Sequence, residues 1–189
     1  MNKVILKSAI ITVASIVLAA LFVFSLWILI SPQTMASACE NTGNYSFAVT
    51  CANLRYKYTN DVYDLARCAQ DSILAKKDNL VVEYCEKLVE DSKFEEVCTT
   101  KDEYISSTDY GEYASGYKKY IFANLSRSQY RTGNLDGAIT SAQKGASFSK
   151  LVLEIIEKED IQSASKVLSI LKDYDEDLYK LLEKFTKGV

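Results

Sequence analysis

The stretch "RTGNLDGAITSAQKGAS", from Arg131 to Ser147, has the pattern of a turn followed by a short amphipathic helix. Gly and Asn open the turn, and the apolar and small residues after them recur at helical spacing. A second stretch, "GNYSFAVTCANLRY" from Gly43, has the same order of Gly-Asn, an apolar residue and two alanines. Both stretches therefore predict a helical hairpin. The residues expected at its turns and close helix contacts are Gly43, Ala48, Gly133, Ala138 and Ala142.

The same outline recurs, weakened, in "KKDNLVVEYCEKLVE" from Lys76 and in "EKEDIQSASKVLSIL" from Glu157. These stretches resemble the tetratricopeptide repeat family, in which short helical hairpins stack into a solenoid. Lys77 follows Gly43 by 34 residues, the repeat length of that family. The later copies are unevenly spaced, and none has the family's Trp or Pro. The resemblance implies an α-solenoid of degenerate repeats that binds a protein or peptide.

Helical spacing of apolar residues continues along almost the whole chain after residue 31, without a convincing strand-like alternation. The turns between the helices are short, so neighbouring helices are expected to be antiparallel. The chain is therefore predicted to be all-α, with a helical domain over residues 32–189. The predicted helices cover residues 32–42, 45–58, 61–76, 79–91, 94–106, 111–131, 135–148, 150–158, 160–173 and 175–186.

Residues 1–31 are predicted to form a cytoplasmic tip and a transmembrane signal-anchor. Residues 8–30 carry no charge, and a helix of that length is about 34 Å long, enough to cross a hydrocarbon core of about 30 Å. Lys3 and Lys7 precede this segment and the next basic residue is Arg55. The chain is therefore expected to cross the cell membrane once, with its amino terminus in the cytoplasm and its domain outside.

Signal cleavage is the alternative to an anchor. The small residues "ASA", Ala36 to Ala38, resemble a cleavage site. Cleavage after Ala38 would release a secreted helical structural protein, with disulfides as one means of stabilisation. The uncharged segment is longer than the usual secretion signal, and Pro32 separates it from the small residues. Both points favour the anchor.

Charge and residue types argue against nucleic-acid binding and catalysis. The formal net charge is −3, which does not suit strong nucleic-acid binding. The chain has no histidine, which excludes Ser-His, Cys-His and His-ligated metal mechanisms. Adjacent carboxylates such as those of Glu95 and Glu96 lie near helix ends, where solvated carboxylates are common. We therefore expect no enzyme activity, no cofactor and no metal site.

Five cysteines, at positions 39, 51, 68, 85 and 98, lie on consecutive predicted helices. They can serve as small apolar side chains between helices. They can also form disulfides outside the membrane, where one thiol would stay unpaired. The best disulfide candidates are Cys51 with Cys68 and Cys68 with Cys85, which exclude each other. A zinc site is disfavoured because no two cysteines have the close spacing of structural zinc ligands.

A tyrosine series is the candidate binding feature. Tyr110, Tyr113, Tyr117 and Tyr120 are spaced 3, 4 and 3 residues apart, which places them on one helix face. Such a series either packs in a core or contacts a partner, since tyrosine is enriched at recognition surfaces. The basic residues beside it suggest an acidic peptide as the partner. The basic residues of this predicted face are Lys118, Lys119, Arg127 and Arg131. The sequence thus predicts a membrane-anchored adaptor or assembly module without catalytic activity.

Overall fold

The computed structural model describes the backbone of residues 3–106 and 116–188 and the side chains of residues 7–102 and 116–188. Within these ranges all the regular elements are α-helices, as predicted. The helices are α1 (Lys3–Ile30), α2 (Pro32–Asn41), α3 (Tyr45–Thr59), α4 (Val62–Leu74), α5 (Asp78–Glu90), α6 (Phe94–Ser106), α7 (Tyr117–Arg131), α8 (Leu135–Lys144), α9 (Ser149–Glu157), α10 (Ile161–Leu171) and α11 (Glu176–Lys187).

Two of the predicted helices differ from the structure by more than two residues. The helix predicted over 111–131 begins at Tyr117, because Gly116, the residue before it, has a φ of 93°. Residues 111–115 of that prediction lie outside the described residues. The helix predicted over 135–148 ends at Lys144. Ala146 turns the chain there with a φ of 46°, and the Ser147 N–H donates to Ala142 O at 2.9 Å.

The four stretches aligned in sequence contain the same backbone turn. In each turn, one residue has a positive φ and the next N–H donates to the carbonyl five residues earlier, as in a Schellman motif. The residues with positive φ are Gly43 (73°), Lys76 (55°), Gly133 (90°) and Glu159 (53°). The four closing bonds are Asn44 N to Cys39 O at 2.8 Å, Lys77 N to Ser72 O at 3.1 Å, Asn134 N to Gln129 O at 2.8 Å and Asp160 N to Ile155 O at 3.1 Å.

The helices after three of the four turns begin in a similar way, whereas α5 has no side-chain cap. Asn44, Asn134 and Asp160 cap α3, α8 and α10 by accepting a bond from a backbone N–H three residues later. One turn further on, Ala48 and Ala138 are fully buried. Small side chains at these places let the paired helices approach closely. The four hairpins thus share a turn, three of them share a cap, and the two with Gly-Asn turns share a fully buried alanine.

Each helix contacts its successor, and contacts between next-but-one helices join the hairpins to one another. The buried apolar residues form two large clusters, one from α3 to α7 and the other from α7 to α11. Helix α7 belongs to both, because Tyr117 and Leu125 lie in the first cluster and Tyr130 in the second. It therefore joins the two halves of the domain.

The long first helix contacts the domain only at its carboxyl end in the described structure. Residues Lys7–Ile30 form a helical segment that contains an 18-residue stretch with a mean hydropathy of 2.8. The segment is long and apolar enough to cross a membrane; an N-terminal signal sequence would share these properties. Ile28, near the end of α1, packs with the small cluster of Met35, Ala36 and Cys51. Ser31 alone separates α1 from α2.

Candidate partner-binding face

The predicted binding tyrosines that the structure describes are core residues. Tyr117 is fully buried and Tyr120 is 3% exposed. Their rings stack with centroids 6.3 Å apart, and the Tyr117 hydroxyl donates to Ala66 O at 3.3 Å. These two rings therefore belong to the core rather than to an exposed face, because α7 packs against several other helices. Tyr110 and Tyr113 lie outside the described residues.

The basic residues of the predicted face are divided between two sides of α7. Lys118 is exposed and pairs with Glu95 of α6. Arg127 and Arg131 lie on another side, in helical register with Tyr120 and Asn124. This second side faces α9, which packs directly against α7. We call it the α7–α9 face; its polar residues are Asn124, Arg127 and Arg131 of α7 and Lys150, Glu154 and Lys158 of α9. Lys119 is not part of it.

At one end of the α7–α9 face, carboxylates balance the positive charge of Arg131. Arg131 Nη2 lies 2.7 Å from Glu154 Oε2, and its Nη1 lies 3.8 Å from Asp78 Oδ2. Burial would raise the pKa of Glu154, but the hydrogen bond from Arg131 and the charges of Arg131 and Lys158 lower it below its ordinary value. Glu154 therefore stays ionised at neutral pH, and Arg131 is held in a structural ion pair.

The other end of the face is basic. Asn124 is 1% exposed, and its Oδ1 accepts bonds from Lys150 Nζ at 2.9 Å and from Arg127 Nη2 at 3.3 Å. The Nε of Arg127 is buried without a hydrogen-bond partner. Within the described residues, Arg127 forms no ion pair with a carboxylate. Two cations thus share one neutral oxygen, and the guanidinium keeps a donor unused.

The sequence predicted Arg127 and Arg131 as part of a basic face but missed the residues that complete it. Asn124 lies three residues before Arg127 and four after Tyr120, so the same helical spacing would have found it. Lys150 is on a different helix, and its approach to Arg127 depends on how α7 packs against α9. That packing has no local signal in the sequence.

The cysteines are core side chains in the structure. All five are buried and free, so neither of the predicted disulfides, Cys51 with Cys68 or Cys68 with Cys85, is formed. Burial raises the pKa of the Cys68 and Cys98 thiols to about 12. Their positions agree with the first of the two alternatives, in which cysteine is a small apolar side chain between helices.

The described part of the chain contains no group of three or more Cys, Asp or Glu side chains placed to hold a metal ion. Comparison with known proteins gave no match to a protein-family model, a curated protein or a solved structure.

Proposed function

We propose that this chain is a membrane-anchored, non-catalytic protein-interaction module that presents its helical domain outside the cytoplasmic membrane. The 24 residues of the apolar segment suit a membrane span. Lys3 and Lys7 before it, and the absence of another basic residue until Arg55, favour an amino terminus in the cytoplasm. Proteins of this arrangement act by holding a partner at the membrane surface.

We further propose that the hairpins form a degenerate solenoid of the tetratricopeptide type. The turn shared by four hairpins supports this, as does the complete burial of Ala48 and Ala138. Stacked hairpins leave an extended surface between successive helices, which such proteins use for binding.

Retention of the anchor is supported by the position of α2. The bond between Ala38 and Cys39 lies within this helix, whose buried residues include Met35 and Ala36. Cleavage after Ala38 would remove both from the small cluster under the first hairpin. Amino-terminal sequencing of the mature protein tests this point, and a chain that starts at Cys39 would establish the secreted alternative.

The partner proposed for the α7–α9 face is a peptide that carries an acidic side chain or a terminal carboxylate. The observation that supports it is the half-buried guanidinium of Arg127, which has no carboxylate partner among the described residues. A carboxylate is the acceptor that best matches a guanidinium. The neighbouring charges add attraction, since four cations and two carboxylates line this region: Arg127, Arg131, Lys150 and Lys158, with Glu154 and Asp78.

Crosslinking in intact cells, followed by identification of the captured protein, tests this proposal. The test variant is Arg127→Gln, which keeps a polar side chain but removes the charge. The matched control is Lys118→Gln, which removes an exposed cation from the other side of the same helix. Loss of one charge-assisted bond, worth roughly 1.5–3 kcal/mol, should weaken capture about tenfold or more. Equal capture by the wild type and Arg127→Gln would exclude the α7–α9 face as the site.

A further inference from the structure

A second polar group joins the first hairpin to the rest of the domain. We call it the α2–α4 charge cluster; its members are Ser37 and Glu40 of α2, Arg67 and Asp71 of α4, and Lys101 of α6. Arg67 Nε donates to Glu40 Oε1 at 2.7 Å, and its Nη2 donates to Ser37 Oγ at 2.8 Å. Arg67 therefore directs its hydrogen bonds across the helix interface to α2.

Asp71 lies one turn after Arg67 on α4 and is only 2% exposed. Its Oδ2 lies 4.0 Å from Arg67 Nε and has no hydrogen-bond partner. The cation beside it is thus bonded to Glu40 instead. A buried carboxylate without a donor is strongly disfavoured, so the carboxyl group tends to retain its proton.

The negative charge of Glu40 acts in the same direction as the burial of Asp71. Burial is the largest effect, followed by the charge of Glu40, and together they raise the pKa of Asp71 to about 7 although the charges of Arg67 and Lys101 lower it. The Asp71 carboxyl group therefore exchanges its proton near neutral pH.

Several other titratable side chains face α4 from the helices packed on it. Burial raises the pKa of the thiols of Cys39, Cys51 and Cys68, so they are neutral near pH 7. Burial likewise raises the pKa of the Tyr84 phenol to about 12. Burial lowers the pKa of Lys101, the ammonium that approaches the ring of Tyr117. Asp71, with a pKa of about 7, therefore changes charge near neutral pH.

We propose that the α2–α4 charge cluster is a proton-operated latch that controls how tightly the first hairpin, and α1 with it, is held against α4. When Asp71 is protonated, Arg67 bonds Glu40 and Ser37 and thereby holds α2 against α4. When the proton leaves for solvent, ionised Asp71 competes for the guanidinium 4.0 Å away. Glu40 then faces a second carboxylate, and α2 loosens.

The direction of the pH effect follows from linkage. A carboxyl group with a raised pKa in the closed state binds more protons closed than open, so closure is favoured at low pH. With one proton linked and an ordinary pKa of 3.8 in the open state, the closing equilibrium falls about tenfold for each pH unit between roughly pH 4.5 and 7. At higher pH the closing equilibrium no longer changes with pH.

Hydrogen exchange of the full-length chain in lipid nanodiscs tests the latch. The measured quantity is the protection of the α2 amides between pH 5.5 and 8.5, corrected for intrinsic exchange. The wild type should lose about tenfold protection per pH unit up to about pH 7. Asp71→Asn should remain protected at all these pH values, because the amide is neutral throughout. Asp64→Asn is the matched control on the same helix, where the carboxylate bonds Arg55 at 2.8 Å, and it should keep the wild-type slope.

Two results would overturn the latch: constant α2 protection in the wild type, or a wild-type slope in Asp71→Asn. A second measurement does not depend on a variant that folds. In the wild type labelled with 13C-aspartate, the carboxyl resonance of Asp71 should titrate near pH 7. Titration at the ordinary value for aspartate in the folded chain would also refute the proposal.

Discussion

The rings of Phe24 and Phe47 stack with centroids 6.2 Å apart and planes inclined by 23°. Phe24 lies on the apolar helix α1 and Phe47 on the first full turn of α3. Ile28 continues this contact one turn further along α1. The end of α1 therefore packs on the first hairpin through side chains, in addition to the chain connection at Ser31.

Replacement of Phe47 by Ala should loosen this contact. An aromatic pair contributes about 0.5–1.5 kcal/mol beyond its buried area, so the end of α1 should become more mobile while the domain stays folded. Trp27 is the one tryptophan of the chain and lies between Phe24 and Ile28. Time-resolved fluorescence anisotropy of Trp27 in nanodiscs should therefore decay further in the variant.

Tyr58→Ala is the control for this change. Tyr58 is an aromatic residue of the same helix but is 69% exposed, so its removal should leave the motion of Trp27 as in the wild type. An unchanged anisotropy decay in Phe47→Ala would show that the two rings do not restrain α1.

Glu154→Gln should destabilise the domain at neutral pH. The carboxylate is 6% exposed and bonds Arg131 at 2.7 Å, and hydrogen bonds to charged groups contribute roughly 1.5–3 kcal/mol. Chemical denaturation at pH 7 should show a loss of about 1–3 kcal/mol in the free energy of unfolding.

The pH dependence of this effect has a definite sign. Because folding lowers the pKa of Glu154 below 4.5, its contribution is present above pH 4.5 and is lost as the pH falls through the folded value. The difference between the wild type and Glu154→Gln should therefore shrink in acid. Glu176→Gln removes a carboxylate that is 79% exposed and paired with Lys180, so it should cost at most about 0.5 kcal/mol at any pH.

The shared turn predicts opposite effects for two substitutions. Glu159 is an exposed L-residue with a φ of 53°, and this left-handed conformation costs about 1–2 kcal/mol outside glycine. Glu159→Gly should raise the free energy of unfolding by about 0.5–1 kcal/mol, once the added freedom of the unfolded chain is subtracted. Gly133→Ala, where φ is 90°, should lower it by about 1–2 kcal/mol. If both substitutions changed the free energy of unfolding in the same direction and by the same amount, the turn assignment would be wrong.

The five thiols should react slowly with an alkylating reagent in the folded chain, and all five should react after unfolding. With a pKa of about 12, Cys68 and Cys98 carry on the order of a thousandfold less thiolate at neutral pH than an ordinary cysteine. Alkylation should therefore be slow in the native protein. Denaturation without a reducing agent should expose five reactive thiols; three or fewer would indicate a disulfide in the mature protein.

Most helix positions could be predicted from the sequence because turns in this chain are marked locally. Apolar spacing and the Gly-Asn pairs placed α3 and α8 correctly at their starts. The helix predicted over 111–131 has a break that the sequence pattern did not indicate, because tyrosines at helical spacing continue across Gly116. The pattern does not register the positive φ at that glycine, after which α7 begins.

The α7–α9 face was harder to predict because it depends on which side of α7 is covered by other helices. The spacing of Tyr117 and Tyr120 is the same for a core series and for an exposed one. The structure buries both, and Arg127 is brought beside Lys150 of α9. Asp71 and Glu40 are likewise 31 positions apart in the sequence, so their encounter arises from helix packing and has no sequence motif.

The junction at Ser31 has a mechanical consequence. A flexible linker would let α1 rotate or tilt without disturbing the domain, but here one residue separates two helices and side chains brace the joint. These contacts restrict movement of α1 relative to the first hairpin. A displacement of the end of α1 would therefore move α2 as well, and through the bonds of Arg67 to Glu40 and Ser37 it would reach α4.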